Sequence, residues 1–354
     1  MPQWQSDMNA INRKLLDAVI RRAEALCPDA LSLIGVYGSA ATGDTHARSD
    51  LDLLILIRGE RERGRALADA FILDDVGIGY DLYCTDWAML ERDAACEHPY
   101  IAKLMDAQIV YVGDEAELAR LETLRGRAAA ILSSDARFER ADASLASAKE
   151  AMSDCLLSAS LSDMRAHAAN AIWHALNAVM LFHGRYFRKG VKRVFEEISA
   201  LGLPFDPEEL VMDIVRAETA EELCEALTAL IRRVRAHLTR PGRKAEPTAE
   251  GLAGTYEEMF SNWRNKMWEA AERGDLYASY ANLASFHGML AEIAADTAIH
   301  DVDVMADFDP RDLRRNAEAF DEALRAYLNE YRRVGIEPRH FADADAYVAS
   351  VTEV

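Results

Sequence analysis

The sequence predicts an α+β fold: a small mixed-sheet unit over about the first 115 of its 354 residues, then an all-helical region of one or two bundles. Three observations predict it. The short apolar runs bounded by turn residues that read as strands all fall before residue 113. Beyond Glu115, apolar residues recur at three- and four-residue spacing almost without break. The charged, proline-bearing stretch Arg240-Pro241-Gly242-Arg243-Lys244-Ala245-Glu246-Pro247 then interrupts the helices and reads as a linker. The expected domains are 1–115, 116–240 and 248–354.

Residues 9–27 place Ile11, Leu15, Leu16, Val19, Ile20 and Ala23 on one face and predict a first helix. An apolar strand from Leu31 to Val36 runs into Tyr37-Gly38-Ser39, and a second strand runs from Asp50 to Ile57. A helix over about 60–70, a strand over 76–85 and a helix from Trp87 follow. Asp86 is placed to cap that last helix. A short helix at 101–105 and a strand at 109–112 complete the unit. The later helices are expected at 114–133, 136–159, 162–184, 190–201, 206–216 and 219–238, then at 249–273, 275–298 and 309–334.

The chemistry is written between Gly38 and Asp52. Gly38 allows the backbone to approach a phosphate, and Ser39 offers a hydroxyl and a backbone N–H at the start of a helical turn, an anion site. Asp50 and Asp52 are two apart, so on a strand their side chains point the same way and can hold divalent metal through hard oxygen ligands. The next five residues are all apolar, and ionised carboxylates at the mouth of so apolar a strand are costly unless paired. The alternative is a strand-end loop with chance acidic residues.

This pattern resembles the active-site signature of the nucleotidyltransferase superfamily with the DNA polymerase β-like fold. There a Gly-Ser pair precedes an Asp-x-Asp strand by about ten residues and a third carboxylate stands on a later strand. The resemblance covers about a third of the chain, and it implies nucleotide binding at Gly38 and Ser39 and metal binding at Asp50 and Asp52. Asp81, on the strand that follows, is the expected third carboxylate, as metal ligand or as base, in preference to Asp74, Asp75 and Asp86. It further implies two magnesium ions and ATP or another nucleoside triphosphate as co-substrate. One departure stands out: the arginine many relatives carry after Gly-Ser is replaced by Ala40-Ala41-Thr42-Gly43. Arg48 and Ser49, next to Asp50, are the nearest substitutes, and Arg48 reads equally well as an exposed loop residue. A mixed head with a helical remainder looks like the antibiotic (aminoglycoside- or lincosamide-type) branch of the superfamily.

Among the helices, Tyr186-Phe187-Arg188-Lys189-Gly190-Val191-Lys192-Arg193 is the densest basic cluster. It either caps a helix ended by Gly190 or grips a triphosphate through Lys189 and Lys192. His167 and His174 share a helical face, a poor metal geometry, and read as packing residues. Trp263, Trp268, Tyr277, Tyr280 and Phe286 read mostly as core. Asp301, Asp303, Asp307 and Asp309 read as a solvated loop without calcium-loop spacing.

Sixty acidic against 40 basic residues give a net charge of −20. A field of that sign repels nucleic acid and suits a cationic small molecule. Five scattered cysteines with no Cys-x-x-Cys pair indicate neither zinc nor disulfides. With no signal-peptide pattern and no apolar run of membrane length, the expected location is the cytoplasm. The expected reaction moves a nucleoside monophosphate, AMP from ATP, onto a small-molecule hydroxyl such as that of an aminoglycoside-like antibiotic. The alternatives are a protein or tRNA acceptor, and a non-catalytic nucleotide-binding protein. Oligomeric state is not legible.

Overall fold

The computed structural model describes residues 10–43, 49–59, 69–82, 84–240, 244–300 and 302–352. Arg48 and most of the helix expected at 60–70 lie outside these residues. The chain divides into two compact units, Met1–Thr239 and Arg240–Val354.

The first unit opens with α1 (Ala10–Leu26), whose buried stripe of Asn12, Leu16, Val19 and Ala23 follows the helical period. Then come β1 (Leu31–Tyr37), the short α2 (Gly38–Thr42), β2 (Asp52–Ile57), β3 (Asp69–Leu73), β4 (Ile78–Leu82) and β5 (Cys84–Thr85). The head closes with α3 (Trp87–Asp93), α4 (Ala102–Met105) and β6 (Gln108–Val112). The main sheet has the order β5-β2-β1-β6, with β1 antiparallel to both neighbours and β5 parallel to β2, so it is mixed as expected.

Strand β3 was not expected, since residues 69 and 70 fell at the end of a predicted helix. It pairs with β4 as a separate hairpin, with Phe71 stacked on Tyr80 at 5.4 Å. A cross-strand aromatic pair of this kind outweighs local helix propensity.

The period-two alternation along β2 divides its side chains between two cores. Leu53, Ile55 and Ile57 pack with α1 and the hairpin residues Ile78 and Tyr80. Leu54 and Leu56 pack on the other side, in a core that continues into the helices. Those helices are α5 (Glu115–Ser133), α6 (Ala136–Leu157), α7 (Leu161–Phe182), α8 (Val194–Ser199), α9 (Pro207–Arg216) and α10 (Ala220–Leu238). Asp114, Ser160, Asp206 and Thr219 cap four of them with side-chain acceptors. Helix α7 ends at Phe182, eight residues before Gly190, so the basic cluster is not its cap. The head and helices 116–239 share one hydrophobic core and form one unit rather than two.

The second unit holds α11 (Ala249–Leu252), α12 (Thr255–Met259), a π turn at Phe260–Arg264, α13 (Asn265–Arg273), α14 (Leu276–Asp296), α15 (Leu313–Arg333) and α16 (Ala344–Thr352). The single helix expected at 249–273 is broken at Gly254, which has a left-handed φ of 86°, and widened by the π turn. Phe286 and Phe320 meet at 4.3 Å in its core. Tyr277 and Tyr280, expected inside, stand 79% and 49% exposed on α14. Asp303 and Asp309 accept backbone N–H groups in tight turns, as a solvated loop would. No helix among the described residues is long and apolar enough to cross a membrane.

Candidate active site

The register of β1 on β2 builds the site. Tyr37 pairs with Asp52, so the chain leaving β1 turns at Gly38-Ser39 directly beside the start of β2. Gly38 adopts φ 63°, in the left-handed region, and a Cβ there would overlap the Asp52 carboxylate. Glycine is therefore required twice, by conformation and by space. Thr42 Oγ1 donates to the Gly38 carbonyl at 3.0 Å and holds the turn closed.

Asp52, Leu54 and Leu56 alternate onto one face of β2, and Asp50, two residues before the strand begins, lines the same cleft as Asp52. Because Leu54 and Leu56 pack toward the helices, the two carboxylates open on the helical side of the sheet. Burial pushes the Asp52 carboxyl up to about 6, and the neighbouring Asp50 charge adds to the rise. Lys192 and a hydrogen bond from the Ser39 backbone N–H oppose it. That rise corresponds to about 3 kcal/mol of unfavourable free energy on the ionised form. Such a pair of carboxylates is poised to take a cation.

The pair is held from behind. Asn12, buried on α1, donates through Nδ2 to the Asp50 carbonyl at 3.4 Å and accepts from the Tyr80 hydroxyl at 3.0 Å. One side chain thus ties the acidic strand to both α1 and the hairpin. The helical pattern of residues 9–27 could have flagged it, since Asn12 is a polar residue next to the apolar face.

A cleft of about 250 Å³ lies over these groups, lined by Gly38, Ser39, Asp50, Asp52, Lys103, Lys189 and Lys192 together with Tyr37, Tyr100 and Phe187. The basic turn that forms its second wall is clasped to the head. Arg188 reaches both oxygens of Asp106 at 3.3 Å, and the Tyr186 hydroxyl donates to the same carboxylate at 3.0 Å. Burial and that carboxylate raise the Tyr186 hydroxyl to about 12. Glu197 accepts the backbone N–H groups of Arg188 and Lys189, and Glu196 pairs with the Lys189 ammonium. Phe187 N–H donates to Pro99 O at 2.8 Å, and Tyr100 is stacked between Trp173 and Phe187 at 4.1 and 4.8 Å.

The structure thus brings together Gly38, Ser39, Asp50, Asp52, Lys189 and Lys192. Ser49, expected at the nucleotide, is 4% exposed and does not line the cleft. Asp81 stands exposed on β4, on the strand face opposite the buried Tyr80, and is not among the lining residues. Among the described residues no three of His, Cys, Asp and Glu are grouped closely enough to hold a metal ion. Asp86 caps α3, accepting the Met89 N–H at 3.0 Å, as expected. Lys103 and Asp106 were not foreseen.

Residues 13–105 match the family model of the nucleotidyltransferase domain. The head is accordingly a nucleotidyltransferase domain, and the chain is an enzyme of the transferase class. A solved structure described as a nucleotidyltransferase-like protein from Exiguobacterium sibiricum 255-15 is 16% identical, covers 80% of this chain and 92% of that one, and aligns with a TM-score of 0.34. No curated protein matches the chain.

Proposed function

We propose that the chain transfers a nucleoside monophosphate, AMP from ATP, to a hydroxyl of a cationic small molecule and releases pyrophosphate. The observation that carries this reading is the single cleft in which Gly38, Ser39, Asp50 and Asp52 stand opposite Lys189 and Lys192. A triphosphate needs both walls: cations and N–H groups for its oxygens, carboxylates for its metal.

Two carboxylates in the cleft fit magnesium, which is commonly held by one or two protein carboxylates with substrate phosphates and water completing its shell. Asp50 and Asp52 would be those ligands, with Asp81 on β4 the candidate third carboxylate. Magnesium bound there would neutralise triphosphate charge and polarise the α-phosphorus. Gly38 and Ser39 offer backbone N–H groups to the β- and γ-phosphates, and Lys189 and Lys192 supply cations from the helical side. The acceptor oxygen bonds to the α-phosphorus as the bond to pyrophosphate breaks, and a carboxylate, Asp81 in this reading, takes the hydroxyl proton. Most of the rate then comes from positioning and electrostatics. The net charge of −20 supports a cationic acceptor, and the resemblance to the antibiotic branch suggests an aminoglycoside-like one.

The test incubates the protein with α-labelled ATP, Mg²⁺ and an aminoglycoside panel, then with cell lysate. The expected result is a labelled small molecule and free pyrophosphate. Label in protein or tRNA would replace the acceptor class, and nucleotide binding without turnover would overturn the reading.

A further inference from the structure

We propose that Lys103 is a preorganised triphosphate-binding cation, positioned by the buried carboxylate of Asp93. This rests on the nucleotide-binding reading of the cleft and adds a residue that the motif does not contain. Lys103 sits on α4 and lines the cleft with Ser39, Asp50 and Asp52. Its ammonium lies 3.2 Å from Asp93 Oδ2, at the end of α3, and the Asp93 side chain is only 5% exposed. His98 Nε2 approaches the other oxygen of that carboxylate at 3.5 Å.

The three lysines of the cleft differ in how they are held. Lys189 pairs with Glu196, whose side chain is 54% exposed, and Lys192 is exposed. Lys103 is 19% exposed and lies against a carboxylate that water barely reaches. A lysine on an exposed stem loses rotamer freedom when it meets a phosphate, whereas one already seated loses little. A buried carboxylate is itself costly without a cation, so the α3–α4 pair keeps its charge in place over the cleft. The bland reading is an ion pair that only staples α3 to α4. The two readings part on one point: a staple can be replaced by a neutral pair, and a phosphate ligand cannot.

The experiment measures binding of Mg²⁺-ATP and of Mg²⁺-tripolyphosphate by calorimetry, alongside thermal melting, for the wild type, Lys103→Ala, Lys103→Arg and the double variant Lys103→Met/Asp93→Asn. Lys103→Ala strands the buried Asp93 charge and is expected to melt earlier. The double variant removes both charges and should recover the melting temperature. Binding of both ligands should nevertheless stay about tenfold weaker in the double variant, the scale of one charge-assisted contact. Lys103→Arg should keep most of the affinity. A double variant that melts like the wild type and binds tripolyphosphate equally well overturns the proposal while leaving the nucleotidyl-transfer reading intact. A wild type that binds neither ligand overturns both.

Discussion

The two walls of the cleft are built on different principles. The head wall is backbone geometry: the Tyr37–Asp52 register and a glycine with no room for a Cβ set where the carboxylates stand. The helical wall is side-chain electrostatics, in which Asp106, Glu196 and Glu197 hold a turn with little regular structure of its own. The first wall resists distortion because a sheet register has no nearby alternative. The second can be loosened one charge at a time. In the proposed reaction, chemistry that demands fixed ligands would sit on the first, and contacts that must admit and release a substrate on the second.

Substitutions should separate the walls by the size and kind of effect. Asp50→Asn or Asp52→Asn should lower metal-dependent transfer by about a thousandfold or more, since each removes several kcal/mol of charge stabilisation at the metal. Steady-state kinetics would show it, and full activity in both variants would break the assignment of the rigid wall to metal binding.

The same wall carries a pH signature in the metal-free protein. The Asp52 carboxyl is raised from 3.8 to about 6, so the folded state holds its proton more tightly than the unfolded chain does. Its penalty is absent below about pH 4, grows as pH rises, and is complete above about 6. Asp52→Asn should therefore stabilise the protein by up to about 3 kcal/mol at pH 8 and change little at pH 3.5. Denaturant melts at both pH values would check this, and equal gains at both would remove burial as the cause. Magnesium affinity should weaken in step with protonation of Asp52 below about pH 6.

Gly38→Ala should cost about 1–3 kcal/mol from its positive φ alone and displace the Asp52 carboxylate as well, so activity should fall further than stability predicts. On the second wall, Asp106→Ala should leave kcat nearly unchanged and raise the KM for triphosphate by about tenfold, because it frees Arg188 and Tyr186 without touching the carboxylates. A drop in kcat with unchanged KM would show that the turn does more than hold substrate. The smallest effect is expected from Tyr80→Phe, which strips the Asn12 Oδ1 atom of its donor at a cost of about 1 kcal/mol in thermal stability.

The rigid wall was legible in the sequence and the adjustable one only in part, for a physical reason. Gly38, Ser39, Asp50 and Asp52 lie within fifteen positions, and strand alternation alone fixes which way the two acids point. Lys189 and Lys192 could be picked out by local charge density, but a helix cap explained that density equally well. Nothing in the local pattern distinguishes Asp106, since its partners lie 80 and 82 residues away. Asp93 and Lys103 read as ordinary surface charges on two short helices until packing buries one of them. The hairpin strand β3 was misread because its pairing with β4, not its own residues, makes it a strand.

The sharing of one core between sheet and helices bears on how far the motif-bearing third of the chain can be treated as a module. Leu33, Leu54 and Leu56 project from the sheet into the same apolar cluster as Leu145, Leu176 and Val179. Cutting the chain after β6 would present that face of the sheet to water, with Trp87, Leu90 and Leu104 beside it. Each fully exposed leucine would carry about 1.5–3 kcal/mol of lost burial, enough in sum to exceed the stability of a small domain. The excised head would aggregate or recruit a substitute cover. The smallest transplantable piece that carries the motif is therefore Met1–Thr239, about twice the length of the 1–115 head.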